Sequence, residues 1–258
     1  MLEKTSLIAI IEAAKAVTNR LEFLKALQVL AFDPKSKRQL LERTQLHRII
    51  AQETWVFGEQ FNLVNDDEDL TAVLRAHLRI LAKDRNELAP PVDEKVLDND
   101  GKNAIVDLML SQRVPLPSDS KRHHLVVELK RPSQPVNDDV INQTKKYARA
   151  VASDHRFKDT GTEWDFVAIS NAITPDAEIE ATQKDRPAGM VADYPDLNAR
   201  VWVKTWGQVI QEAEGRLTFY RRKLDYQANE AQALGYLRSV NPDLLSEEVR
   251  NRIAELAL

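Results

Sequence analysis

Two apolar runs in the middle of the chain each carry one acidic residue, and this feature constrains the fold most. Ala104–Leu110 and His124–Lys130 have the length and β-branched content of strands. Asp107 lies inside the first run and Glu128 inside the second. Because an ionised carboxylate is costly to bury unless a cation pairs with it, the runs predict adjacent strands that share a cation.

Lys130 follows two residues after Glu128. Strand side chains alternate, so Glu128 and Lys130 face one site while Leu129 faces the opposite way. Carboxylates and a carbonyl, such as that of Leu129, are ligands that Mg²⁺ accepts. A metal stabilises charge on a phosphate and acidifies water, and a lysine positions that water. The pattern predicts phosphodiester hydrolysis with Mg²⁺ or Mn²⁺ bound by Asp107 and Glu128.

Simpler interpretations of these residues stay open at this point. Asp107 is also explained as a strand acid that accepts hydrogen bonds from backbone amides or from an arginine. Glu128 and Lys130 are also explained as a surface ion pair, which contributes little to stability. The apolar residues that lead into the triplet favour the catalytic interpretation.

Helical patterns surround the two runs. Apolar residues recur every three or four positions over Leu2–Phe32, and a second helix is predicted over Ser36–Thr54, so the two helices form an N-terminal hairpin. Further along the chain we expect a helix over Asp67–Leu81, a loop over Gln112–Arg122, a helix from about Asn137 to Val151, strands at Asp165–Ser170 and Arg200–Lys204, and a helix over Trp206–Leu224. This order predicts an α/β fold with a mixed sheet and helices on both faces.

Composition excludes several classes of site. The 258 residues include no cysteine, which excludes disulfides, thiol nucleophiles and cysteine-ligated metals, and suits a reducing compartment. The apolar run Leu7–Ile11 is too short for a membrane span or a signal sequence, so we expect a cytoplasmic protein without membrane contact. The net charge of −4 implies that any DNA contact is local.

Gln143 and Tyr147 lie four residues apart on the helix that follows the second strand, so they share one face. With Asp107 and the Glu128-Leu129-Lys130 triplet, they resemble the PD-(D/E)XK nuclease superfamily and the Gln-x-x-x-Tyr helix of its RecB-like members. No proline precedes Asp107, which departs from the superfamily's name. The resemblance implies a restriction-endonuclease-like core and a catalytic role for Gln143. A polar helix face with one half-buried aromatic is the alternative for Gln143 and Tyr147.

The stretch from Glu42 to Asn171 resembles, more specifically, the nuclease domain of Shedu-type bacterial immune proteins. The carrying motifs are Glu42-Arg43-x-Gln45-Leu46-His47, Thr54-Trp55-Val56-Phe57-Gly58-Glu59, Val126-Val127-Glu128-Leu129-Lys130-Arg131-Pro132 and Gln143-x-x-x-Tyr147. This resemblance implies DNA cleavage in anti-phage defence. Similar domains also occur behind Hsp90-like ATPase domains, which makes such an ATPase, or another component of the system, a candidate partner.

Superfamily members commonly add a glutamate from the helix that precedes the first catalytic strand. Glu42 is the first choice for this catalytic position because it lies on a predicted helix. Glu53 and Glu59 are its rivals, and a solvated helix glutamate is the alternative for each.

Basic residues cluster around the predicted site in an otherwise acidic chain. Arg131, Lys145 and Lys146, with Tyr147, are the predicted nucleic-acid contacts. A solvated helix face is the alternative for the lysines. His123 and His124 are consecutive strand residues and point to opposite faces, so they cannot easily ligate one ion; contact with solvent or phosphate is expected.

Together these observations predict an N-terminal helical extension over residues 1–35, suited to oligomerisation, and a nuclease-like domain over residues 36–258. The predicted function is metal-dependent hydrolysis of DNA by a homo-oligomer. The alternative is an assembly module of a multi-component system that grips nucleic acid or a partner ATPase and cleaves weakly or not at all.

Overall fold

The computed structural model describes residues 7–34, 45–98, 100–115, 120–157, 162–242, 245 and 251. Two compact units make up the chain. One unit comprises Met1–Ile49 and Trp206–Leu258, and the other comprises Ile50–Thr205. We call them the helical unit and the sheet unit. The predicted boundary at residue 35 falls outside the described residues and stays a prediction.

The sheet unit contains one six-stranded mixed sheet, in the order β1-β2-β3-β4-β6-β5. Its strands are β1 (Asn62–Asp69), β2 (Ile105–Pro115), β3 (Ser120–Leu129), β4 (Thr162–Ser170), β5 (Met190–Tyr194) and β6 (Ala199–Thr205). Strand β2 is antiparallel to both of its neighbours, β1 and β3. Strands β3, β4 and β6 are parallel, and β5 is antiparallel to β6. The parallel centre explains the nearly continuous apolar runs, because such strands are buried on both faces.

Helices of the sheet unit are α3 (Leu70–Arg85), α4 (Asp138–Ser153) and α5 (Pro175–Ala181), with short 3₁₀ turns at Thr54–Phe57, His155–Phe157 and Pro195–Leu197. The short helix α2 (His47–Gln52) begins in the helical unit and ends in the sheet unit, because the boundary falls after Ile49. One hydrophobic core joins α3, α4 and α5 to the sheet and includes Val73, Met109, Val126, Ile141 and Phe166. Within the sheet unit, α4 packs against β4 and β6.

The helical unit contains α1 (Leu7–Phe32), α6 (Trp206–Leu224) and α7 (Glu230–Val240), and α1 packs against both of the others. Buried residues of α1 begin at Leu21, whereas its first turns are exposed. In α6 the buried positions, from Trp206 to Leu217, recur every three or four residues. Among the described residues, no helix is long and apolar enough to cross a membrane.

The predicted mixed α/β fold with a sheet flanked by helices is confirmed, and so is the bulk of the N-terminal helix. Part of the second helix of the predicted hairpin, residues 36–44, lies outside the described residues. The described remainder contains α2 and the start of a 3₁₀ turn.

Within the sheet unit, two secondary-structure predictions were wrong and one strand was missed. Asp67 to Asp69 belong to β1 rather than to a helix, because the acidic strand pairs with β2 and Asp69 then caps α3 by accepting a hydrogen bond from the Ala72 amide. The loop predicted over Gln112–Arg122 is largely strand, since cross-strand pairing continues to Pro115↔Ser120. The edge strand β5 was missed because only its pairing with β6 makes it a strand.

Candidate active site

The two acids that lie within apolar strands come to one end of the sheet. Leu108 pairs with Val127 across β2 and β3, and the same register, extended by one residue, sets Asp107 opposite Glu128. Asp107 is 4% exposed and Glu128 is 6% exposed. Residues directly opposite each other in an antiparallel pair project to the same face. The two carboxylates therefore share one face of the sheet, as the alternation of side chains predicts.

A short hydrogen bond joins the two strands at this point. The backbone amide of Leu129 donates to Asp107 Oδ2 at 2.6 Å. This bond holds the Asp107 carboxylate beside the Glu128-Leu129-Lys130 segment. The alternative interpretation of Asp107 was an acid that accepts a hydrogen bond from a backbone amide. The contact with the Leu129 amide is a hydrogen bond of that kind.

Lys130 lies directly after β3, where its backbone amide donates to the Ile169 carbonyl of β4. Its side chain turns to the same face as Glu128, and its Nζ donates to Glu128 Oε1 at 2.7 Å. Lys130 is only 9% exposed. The pair is therefore a buried ion pair rather than the weak surface pair that the simpler interpretation requires.

Helix α4 supplies the other wall of the site. Its N-terminus is capped by Asn137, whose side chain accepts from the Val140 amide at 3.1 Å. Gln143, two turns into the helix, donates from Nε2 to Glu128 Oε1 at 3.2 Å, and its Oε1 accepts from Lys130 Nζ at 3.5 Å. Gln143 also donates to the hydroxyl of Tyr147. One amide thus links the acid, the lysine and the tyrosine.

Tyr147 is buried behind Gln143. Burial, together with the negative charge of Glu128, raises the pKa of the Tyr147 phenol above its ordinary value. The phenol therefore stays protonated at neutral pH. It supports Gln143 as a neutral hydrogen-bonding group and is unsuited to act as a general base.

The oxygen atoms at this end of the sheet fit a hard divalent cation. Asp107 and Glu128 are carboxylates on one face, and Mg²⁺ characteristically takes one or two carboxylates while it keeps several waters. Among the described residues no group of three or more acidic or histidine side chains could hold a metal. The described part of the site therefore offers two carboxylate ligands, which is enough for an open site that leaves room for water and phosphate.

A groove of about 580 Å³ opens beside Gln143 and Tyr147. Its lining combines cations, amides and acids, namely Asp98, Asp100, Lys102, Asn103, Ala104, Asp139, Asn142, Gln143, Lys146, Tyr147 and Arg149. Lys146 Nζ lies 2.5 Å from Asp100 Oδ2. The sequence gives no indication of the acidic side of this groove, because Asp98 and Asp100 lie in a polar segment outside any predicted helix or strand.

The predicted nucleic-acid contacts are placed differently from one another. Lys146 and Tyr147 line the groove, and Arg131 is exposed directly after Lys130. Lys145 instead forms an ion pair with Glu180 of α5, and its side chain is largely buried. This geometry makes Lys145 a link between helices in the described conformation.

The predicted extra glutamate has three candidates, and none is brought to the site by a described contact. Glu42 lies outside the described residues. Glu53 accepts a hydrogen bond from the Trp55 indole, and Glu59 is exposed. The assignment of Glu42 stays a prediction.

The prediction that the two histidines of β3 contact solvent or phosphate was wrong for His124, which is buried, whereas His123 is partly exposed and also has a protein partner. His124 is fully buried, and its Nε2 lies 3.0 Å from His77 Nδ1 in an aromatic cluster with Trp164. His123 Nε2 lies 2.6 Å from Asp165 Oδ2. Sequence alone misses these partners because Asp165 and His77 come from distant strands and helices.

Comparison with known proteins leaves the chain without a family assignment. No protein-family model matches the chain, and no curated protein matches it. Among solved structures, this chain is similar to the MspJI restriction endonuclease in complex with a 27-mer oligonucleotide, at 12% sequence identity and a TM-score of 0.29. The alignment covers 82% of this chain and 38% of the MspJI chain. The chain thus spans well under half of that protein's length.

Proposed function

We propose that this protein is a metal-dependent nuclease that hydrolyses DNA phosphodiester bonds at the Asp107, Glu128 and Lys130 site. One observation carries the proposal: a cross-strand pair of buried carboxylates shares one sheet face with a buried lysine. Burying three ionisable groups together is costly, and function is a common reason for such a cluster. The PD-(D/E)XK resemblance of the same residues supports this assignment.

In this proposal Asp107 and Glu128 hold Mg²⁺ or Mn²⁺, with the Leu129 carbonyl as a further candidate ligand. The ion, when bound, supplies Lewis acidity toward the scissile phosphate and lowers the pKa of a coordinated water. Lys130 orients the attacking water and stabilises the negative charge that develops on the phosphate. Gln143 holds Lys130 and Glu128 in register, since it bonds to both side chains.

DNA enters along the groove beside Gln143 in this account. Lys146 and Arg131 contact backbone phosphates, and phosphate binding requires Lys146 to leave its ion pair with Asp100. Lys145 contributes only if its pair with Glu180 opens. The mixed charge of the groove implies modest affinity, which suits the negative net charge of the whole chain.

The biological setting is proposed from the Shedu-type resemblance. It implies a bacterial anti-phage nuclease that acts in the cytoplasm as a homo-oligomer, with an Hsp90-like ATPase or another component of the defence system as partner.

The proposal is tested by comparing the purified wild type with Asp107→Ala. Cleavage of linear and supercoiled DNA is measured in Mg²⁺, in Mn²⁺ and in EDTA. We expect metal-dependent cleavage by the wild type and its loss in the variant. Full metal-dependent cleavage by Asp107→Ala would show that the activity comes from another site.

A DNA-gripping assembly module is the second candidate, and one observation favours it. Glu128 Oε1 already receives hydrogen bonds from Lys130 and Gln143, so the protein itself stabilises this carboxylate. If the protein is such a module, we expect no DNA cleavage in any metal. DNA binding, or capture of the partner ATPase, should then be unchanged by Lys130→Ala.

A further inference from the structure

The C-terminal end of α6, in the helical unit, presents aromatic and basic side chains together. Phe219 and Tyr220 are 64% and 51% exposed. Their rings meet edge to face with centroids 5.5 Å apart, and Lys223 Nζ lies 5.9 Å from the Phe219 centroid. Large aromatic side chains that remain exposed are unusual and commonly mark a binding surface.

A groove of about 490 Å³ in the same unit is lined by other residues of the last turns of α6, and by none of Phe219, Tyr220 and Lys223. Its lining includes Arg221 and Arg222 from α6 and Lys25 from α1. Within the described chain these three cations form no ion pair. The wall is closed by Tyr226, whose hydroxyl donates to Glu22 Oε1 at 2.5 Å. The groove also has acidic lining residues, Glu214 and Asp225, so it is not uniformly positive.

The helix dipole accounts for part of this arrangement. Cations in the last turn of a helix stabilise its C-terminus, and Arg221, Arg222 and Lys223 occupy that turn. The dipole explains neither the exposed aromatic pair nor the cation contributed by α1. A surface that combines aromatic faces with unpaired cations has the chemistry that binds single-stranded nucleic acid, whose bases stack while its phosphates pair with Lys and Arg.

We propose that this end of the helical unit is a second, non-catalytic nucleic-acid site that holds a single strand. Its residues are Lys25, Phe219, Tyr220, Arg221, Arg222 and Lys223, which we call the aromatic–basic surface. Bases stack on Phe219 and Tyr220, and phosphates contact Arg221, Arg222 and Lys25. The choice of nucleic acid as ligand rests on the proposed nuclease function, but the site lies on residues that the catalytic cluster does not use.

The site is tested by measuring the affinity for a labelled oligo-dT by fluorescence anisotropy. The measurements are made in EDTA and in the Lys130→Ala background, so that cleavage plays no part. We expect Arg221→Ser/Arg222→Ser to weaken binding at least tenfold and to lower the slope of log K against log salt by about 1.4, since each phosphate contact on a single strand contributes about 0.7. Phe219→Ala should weaken binding about tenfold through lost base stacking. Circular dichroism verifies that each variant is folded.

The matched control is Arg75→Ser/Arg79→Ser, which removes two exposed arginines from α3 that form no ion pair within the described chain. This control should bind oligo-dT like the parent protein. Heparin and phosphatidylserine vesicles serve as competitors without bases. Equal weakening by both arginine pairs, an unchanged affinity in Phe219→Ala, or tighter binding to vesicles than to oligo-dT would each overturn the proposal. None of these binding measurements depends on cleavage. A negative result for the aromatic–basic surface is therefore distinguishable from a negative result for the proposed nuclease activity.

Discussion

At the scale of single residues, Gln143 is the side chain that joins the candidate site together. It bonds to Glu128, Lys130 and Tyr147, although only its spacing from Tyr147 was visible in the sequence. A group that orients metal ligands and a catalytic lysine affects rate more than stability, because its contacts are lost without emptying the core.

Gln143→Ala should therefore lower the DNA cleavage rate about 10- to 100-fold, which is the usual effect of removing a group that positions metal ligands. Gln183→Ala, at an exposed position, is the control. The rate is measured on a labelled duplex in Mg²⁺, and thermal melting reports folding. A variant that cleaves at the wild-type rate would remove Gln143 from the site.

The buried pair His77 and His124 makes a prediction about pH. Burial, and then the nearby charge of His77, lowers the pKa of His124 well below its ordinary value. The unfolded chain therefore binds a proton that the folded chain does not as pH falls below about 6.5. The stability that depends on neutral His124 is complete above that pH and is lost as pH falls toward the folded pKa.

Denaturant unfolding between about pH 7 and pH 5 should show stability falling in the wild type, with a slope approaching 1.4 kcal/mol per pH unit for one proton. His77→Phe/His124→Phe should flatten this dependence, and His155→Gln, at an exposed site, should not. Asp165 does not affect the measurement between pH 7 and pH 5. Burial raises the pKa of Asp165, but hydrogen bonds from His123 and Trp202 outweigh burial and lower it. The stability that depends on ionised Asp165 is therefore lost only in more acidic solution. An unchanged slope in the double variant would contradict the account.

At the scale of elements, the helices and strands with strong periodicity were predicted well. Helix α6 was predicted with its observed bounds, and β2, β3, β4 and β6 were all recognised from their apolar residues. The missed elements depend on partners: β1 is an acidic edge strand defined by pairing with β2, and β5 by pairing with β6. Likewise Asp107, Glu128 and Lys130 were visible because acids in apolar strands are rare, whereas Asp100 and Asp165 needed the three-dimensional contacts.

The start of β5 supplies a prediction about backbone strain. Gly189 has φ +90°, and a Cβ there would lie 2.8 Å from the Val203 carbonyl oxygen. Gly189→Ala should destabilise the fold by more than 1 kcal/mol, because it combines an unfavourable conformation with a backbone clash. Gly215→Ala is the control, since that helical glycine has open space around it and should stabilise by about 0.5–1 kcal/mol. Both free energies of unfolding are measured by denaturant titration. The same change in the free energy of unfolding for Gly189→Ala and Gly215→Ala would contradict this prediction.

At the scale of the whole molecule, the chain has a sheet unit with the candidate active site and a helical unit with the aromatic–basic surface. Self-association through the N-terminal helix was predicted from its length and amphipathic pattern. Removing residues 1–35 would also remove the buried residues Leu21 to Ala31, so point substitutions are the cleaner test. The exposed residues Leu7, Ile8 and Ile11 are suitable positions.

If the exposed turns of α1 mediate self-association, Leu7→Glu/Ile8→Glu/Ile11→Glu should reduce the molar mass measured by light scattering to that of one chain. Ile179→Glu, at an exposed apolar position on α5, is the control and should keep the wild-type mass. An assembly that persists in the triple variant would show that another surface joins the copies.

The role of the buried Asp107, Glu128 and Lys130 site is tested by the rate of DNA cleavage in Mg²⁺. The rate is compared among the wild type, Lys130→Ala and Lys184→Ala. Lys184 is exposed and forms no ion pair among the described residues. We expect metal-dependent cleavage that Lys184→Ala retains and Lys130→Ala loses by about 100-fold or more. Equal cleavage by all three proteins, or no cleavage by any of them in either metal, would contradict the account.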